Sequence, residues 1–245
     1  MITGARLDHV AFGVESLHGA AEFLAGTLGG APHEGGPGPG YTGAQWRFAN
    51  GARLELIEPL GADGFLHRFI RAKGPGIHHV TFIVPKLELA ARAAEALGYE
   101  VVGYSDAYPS WKECFLHPKQ ALGIVVQMVE KSDTPDAGNT WGADFAFPQV
   151  KRASSQARIV ALRMSAPSRE AAMKQWSELL GGELAEPTPD VLEFRWKSSP
   201  IDLVVEIDSS LPPGPKHVEV GVDGEVTLPT DPNPSLGTRF VATAP

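Results

Sequence analysis

Four polar side chains fall in strands whose neighbours are apolar. In "LDHVAFGV" (7–14), His9, Ala11 and Gly13 share one face and Val10, Phe12 and Val14 the other, because successive strand side chains point to opposite sides. In "ARLELIEP" (52–59), Glu55 lies with Arg53 and Ile57, opposite Leu54 and Leu56. "IHHVTFIV" (77–84) sets His79, Thr81 and Ile83 against His78, Val80, Phe82 and Val84, so its two adjacent histidines cannot serve one site. "GIVVQMVE" (123–130) places Gln127 with Val125 and Val129. The gap from His9 to Glu55 is 46 residues and that from His79 to Gln127 is 48, so the set reads as two equivalent pairs. Two imidazoles, a carboxylate and an amide oxygen suit a divalent ion such as Zn, Ni, Co, Mn or Fe, with room left for water or substrate. His78 takes the opposite face, aligns with Asp8 and is expected to be structural.

The elements that would position these residues repeat. "LDHVAFGVESLHGAAEFLAGTLGG" and "IHHVTFIVPKLELAARAAEALGY" each give an alternating strand, a turn, an alanine-rich amphipathic helix and a Leu-Gly stop. A glycine just after a last helical turn suits the left-handed cap. A third copy, "RIVALRMSAPSREAAMKQWSELLGG", keeps the spacing, with Ala161 where the others have histidine. Strand-like segments follow each helix, "AQWRF" and "ARLELIEP" being joined by the hairpin signal Asn50-Gly51. The plan is β-α-β-β-β, and the expected class is α+β with curved, largely antiparallel sheets and a third, degenerate C-terminal module. "EGGPGPG" (34–40) reads as a loop. The expected organisation is paired modules over 1–131, a linker over 132–156 and the degenerate module over 157–245. That module offers Val205 or Glu206 near the second ligand position. His217 in "KHVEVGV" matches His9 and His79 in local pattern only.

Composition narrows the partners. The chain has 245 residues, 43% hydrophobic and 20% charged, with net charge −8 and pI near 5.5. No basic patch for nucleic acid and no apolar run long enough for a membrane span are visible. "MITGARLDHVAF" does not read as a signal peptide, and the single cysteine, Cys114, fits a reducing cytoplasm and a buried apolar role. A small-molecule substrate is the expected partner, and a homodimer is left open.

These motifs, in this order, resemble the vicinal oxygen chelate (glyoxalase/bleomycin resistance/dioxygenase) superfamily. "LDHVAF", "RLELIEP", "GIHHVTFIV" and "FLHPKQALGIVVQMVE" are most similar to the methylmalonyl-CoA epimerase branch, over about residues 5 to 130. The resemblance implies tandem βαβββ modules paired into a cupped mixed sheet that holds a metal, with ligands at His9, Glu55, His79 and Gln127. It also implies two glutamates acting as acid and base on an enolised thioester, one at Gln127 and one near Gln45. Both positions hold amides, which cannot take up a proton at neutral pH. Glu55 is the stand-in base. Isomerase or lyase chemistry through a metal-stabilised enolate is the leading expectation. A two-histidine, one-carboxylate set would also suit a non-haem iron dioxygenase, and the cup would suit a non-catalytic, antibiotic-sequestering binder. Trp46, Arg47 and Lys119 are candidate substrate contacts. Tyr104, Trp111 and Glu113 could line the cup, and His117 and Pro118 shape the turn before Lys119. His18, His33 and His67 fall in helix, loop and helix-like contexts and take no role.

Overall fold

Each repeat closes in the same way, its last strand returning parallel beside its first. The computed structural model describes residues 1–133, 141–142, 144–185, 187–222 and 228–243. The first module runs β1 (Arg6–Gly13), α1 (Leu17–Ala21) extended by a π-helical segment (Glu22–Thr27), then β2 (Ala31–Gly38), β3 (Tyr41–Arg47) and β4 (Arg53–Pro59). α2 (Phe65–Lys73) leads to the second module: β5 (Gly76–Ile83), α3 (Leu87–Ala96), β6 (Val101–Tyr108), β7 (Trp111–Leu116) and β8 (Val125–Lys131). The third comprises β9 (Arg158–Ala166), α4 (Arg169–Ala172) with a second π-helical segment (Met173–Leu179), β10 (Glu183–Ala185), β11 (Val191–Arg195) and β12 (Asp202–Ile207). β13 (Gly214–Gly221) and β14 (Arg239–Ala242) follow. The class is α+β, as expected.

Register fixes the equivalences between copies. β1 pairs parallel with β4, Ala11 facing Glu55, and β5 pairs parallel with β8, Thr81 facing Gln127. Each facing residue lies two after its histidine, so Glu55 and Gln127 are true counterparts. In the third module Arg163 faces Val204, which puts buried Val204 at the ligand position. The expected Val205 and Glu206 are displaced by one and two residues. Val205 lies on the other face, and Glu206 is taken by ion pairs with Arg163 (3.1 Å) and Lys216. The alternation of "DLVVEID" does not say where pairing begins.

The helices show the same equivalence. The Glu58 carboxylate accepts from the Leu17 N–H at 2.7 Å, and that of Glu130 accepts from Leu87 N–H at 2.8 Å. A strand glutamate three residues past the ligand position thus caps each helix, where Ser16 and Lys86 make no side-chain cap of their own. In the third module Ser168 caps locally, accepting from Ala171 N–H at 3.1 Å. Gly29, Gly98 and Gly181 end the three helical stretches with φ of +69°, +82° and +70°.

Two compact units emerge, and their boundaries fall inside β1, β5, β9 and β13 as well as between Asn139 and Thr140. One holds Met1–Asp8, His79–Asn139 and Ala161–Lys216. In its core Phe82 stacks on Trp176 (6.2 Å between centroids) and meets Trp196 edge-on (5.0 Å). Its strand runs are β5-β8-β7-β6 and β10-β11-β12-β9. The other holds His9–His78, Thr140–Val160 and His217–Pro245, with runs β2-β3-β4-β1 and β13-β14. Its core includes Phe12 stacked on Phe240 (6.0 Å), with Phe23 against the same ring (4.8 Å).

The segment 34–40, expected as a loop, lies mostly in β2, and His33 is therefore a strand residue. β2 is the outermost strand of its run, where proline is tolerated because one edge makes no ladder bonds. Within the expected linker, Gly142 bridges to Gly35, and Phe145 lies where a Cβ on Gly35 would stand, 2.5 Å from its Cδ1. Among the described residues no helix is long and apolar enough to cross a membrane.

Candidate metal centre

The centre starts from a buried charge. His9 is 1% exposed and Glu55 5%, and His9 Nε2 lies 2.6 Å from Glu55 Oε2. β1 and β4 bring them to the same face because the parallel register sets Glu55 against Ala11, one pleat beyond His9. A carboxylate removed from water costs several kcal/mol unless a cation compensates it. Ligand atoms of His9, Glu55 and His79 all lie within 4.8 Å of one another. Donors about 2.1 Å from one ion stand at most about 4.2 Å apart, so these three atoms are near enough for one cation to draw them into a shared shell by shifts of a few tenths of an ångström.

Gln127 sits in a polarised chain of its own. Thr81 Oγ1 donates to Gln127 Oε1 (2.6 Å), and Gln127 Nε2 donates to Glu113 Oε2 (2.7 Å). Trp111 Nε1 donates to the same carboxylate oxygen (3.1 Å). β7 pairs antiparallel with β8, Phe115 against Gln127 and Glu113 against Val129, so Glu113 and Gln127 share a face.

Trp141 is a site residue that sequence reasoning missed. A Cβ on Gly43 would stand 2.5 Å from Trp141 Cη2 and 3.1 Å from Glu55 Oε1. The indole and the carboxylate oxygen that does not pair with His9 thus both border the space over Gly43. Gly43 faces Ile57 within β3–β4, and Gln45 faces Glu55, so all belong to the His9 side of the sheet. The available signal was glycine inside a strand, which marks close approach by another group.

The other candidates are spread more widely. Trp46 is 1% exposed, one residue from Gln45 and hence on the opposite face, with its ring edge-on to Phe147 at 5.4 Å. Arg47 is exposed on the Gln45 face, and its carbonyl accepts from Gln156 Nε2 (3.2 Å). Lys119 is exposed in the turn after β7, its N–H donating to His117 Nδ1 (3.2 Å). Tyr104 is 48% exposed on β6. Cys114 is fully buried, and desolvation pushes its thiol up to about 12. His78 packs against Phe65 (5.5 Å) and Phe69 (4.9 Å), and burial lowers its pKa to about 4, with Lys73 adding to the effect.

The profile of the Glyoxalase/Bleomycin resistance protein/Dioxygenase superfamily matches residues 8–115. The ethylmalonyl-CoA/methylmalonyl-CoA epimerase of Cereibacter sphaeroides is 33% identical over 131 residues, covering 50% of this chain and 96% of the relative. The chain belongs to this superfamily. Human mitochondrial methylmalonyl-CoA epimerase is 32% identical over 131 residues, covering 50% of this chain and 72% of that protein. A mutant of 4-hydroxymandelate synthase from Streptomyces coelicolor superposes with a TM-score of 0.63 at 16% identity. It covers 89% of this chain and 71% of that one, and shows a shared fold. Superfamily members use divalent metals, and His9, Glu55 and His79 are a donor set of that kind.

Proposed function

We propose that the chain is a divalent-metal-dependent epimerase or related isomerase acting on a small acyl-thioester through an enolate. The observation that carries this reading is the buried His9–Glu55–His79 cluster in a chain that is 33% identical, over 131 residues, to an acyl-CoA epimerase. Two neutral imidazoles and one carboxylate suit the ion's charge and softness, so the residues fit the group. His9, Glu55 and His79 would hold it, with the Gln127 amide oxygen as the fourth donor. When bound, the ion supplies Lewis-acid polarisation of a substrate oxygen.

The chain's own residues do the rest. Glu55 Oε1 is the proton-carrying atom, since Gln127 and Gln45 are amides and cannot take that role. The Trp141 indole, bordering the same space over Gly43, would help exclude water from it. Arg47, farther along the same face, would pair with a substrate carboxylate in bidentate fashion. Lys119 would meet a more distant anionic group.

The test is solvent exchange. Metal-loaded protein incubated with methylmalonyl-CoA in deuterated water should place deuterium at the α-carbon, and Glu55→Gln should slow this by at least about 100-fold. The two-histidine, one-carboxylate set also favours a second reading, a non-haem iron dioxygenase. Dioxygen uptake by iron-loaded protein with a catechol, and no exchange with any acyl-CoA, would establish that reading instead. Binding without turnover would establish a sequestering role.

A further inference from the structure

We infer that Glu113 is a positioning residue that makes Gln127 a metal ligand, an inference that rests on the metal reading above. An amide side chain has two ends of nearly equal size, and only its oxygen can coordinate a cation. Whatever holds Gln127 must therefore choose its orientation. Thr81 cannot choose, because a hydroxyl donates to the amide oxygen or accepts from the amide nitrogen with equal ease. A carboxylate only accepts. Glu113 Oε2, 2.7 Å from Gln127 Nε2, thus fixes the NH2 end on itself and turns Oε1 the other way. Trp111 Nε1, a donor only, holds that same oxygen at 3.1 Å and keeps the chain polarised in one direction. Thr81 then occupies one lone pair of Oε1 at 2.6 Å, leaving the second for a cation.

The first module supplies the internal control. Its counterpart of Gln127 is Glu55, a carboxylate whose two oxygens are equivalent and which needs no such choice. Glu113 faces Val129, two residues beyond Gln127, and the matching residue facing Ile57, two beyond Glu55, is Gly43. The orienting carboxylate is present where the donor is an amide and absent where it is not. At Gly43 the space is filled by Trp141 instead.

The test is Co(II) affinity of the metal-free full chain, measured by competition with a chromophoric chelator, with thermal unfolding of each metal-free variant as the folding control. Glu113→Leu should weaken binding about 10- to 100-fold. Gln127→Ala should weaken it as much, and adding Glu113→Leu to it should cost little more. The double variant E113L/Q127E should recover wild-type affinity, because a carboxylate at 127 has no wrong orientation. A merely structural role for Glu113 predicts no such rescue. Wild-type affinity in Glu113→Leu, or failure of Q127E to rescue it, would overturn the inference while leaving the metal site standing. Absence of Co(II) binding by the wild type would overturn both.

Discussion

At the residue scale, the chemistry turns on which side chains are deprived of water and what they meet there. Glu55 is buried against His9 Nε2 at 2.6 Å, and so is the group whose charge a bound cation must balance. Cys114 shows the contrary case: burial beside Glu113 and Glu95 disfavours its thiolate. With the pKa pushed to about 12, only about one thiol in ten thousand is ionised near pH 8. Alkylation of the folded protein should be undetectable over an hour and become fast only in denaturant; rapid labelling without unfolding would contradict this burial. The grouping of His9, Glu55 and His79 was legible from strand alternation together with the overlay of the first two repeats. The Thr81–Gln127–Glu113 chain was not, because it depends on inter-strand register, and Trp141 was not, because nothing in its neighbourhood in the sequence is periodic. Trp46, named with Arg47 as a substrate contact, shows the limit of composition as a guide: one position of alternation carries it to the packed face against Phe147.

At the element scale, α1 and α3 borrow their N-caps from the last strand of their own module. Glu58 and Glu130 each accept a backbone N–H of the first helical residue. Substituting either by alanine should cost about 1 kcal/mol, read from urea unfolding, and the two losses should add because the sites share no partners. Unchanged stability in both variants would contradict the capping role. The Glu130 pKa is lowered, first by the Leu87 N–H and then by Lys86 and Lys112. Its folded value lies below its unfolded one, so its stabilisation is complete above the ordinary carboxylate range. It is lost as pH falls through the folded value. Glu130→Gln should accordingly flatten the stability profile as pH falls below the ordinary carboxylate range; an unaltered profile would contradict the assignment. The helices and their glycine ends were readable from the sequence. Their π-helical continuations, and the strand identity of the glycine- and proline-rich segment 34–40, were not. Local propensity argued for a loop there, and pairing with β3 overrode it.

At the scale of the molecule, one plan is written three times along the chain, with donor side chains in two copies. The third copy has Ala161 and Val204 at the positions of His9 and Glu55, and its adjoining Glu206 is occupied by Arg163 and Lys216. The repeat was visible because its period is carried by a strand, a helix and a glycine stop in fixed order. The loss of donors was visible at Ala161 but misplaced by a residue or two in β12, since strand pairing decides it. A single ion per chain is therefore expected, and metal analysis after gel filtration should return a stoichiometry near one. The most direct test of the central claim compares the two adjacent histidines of β5 by that same metal analysis. His79→Ala should abolish metal retention while His78→Leu, which replaces a ring packed between Phe65 and Phe69, should retain it. Equal loss in both variants, or a wild-type protein that takes up no divalent ion, would contradict the account.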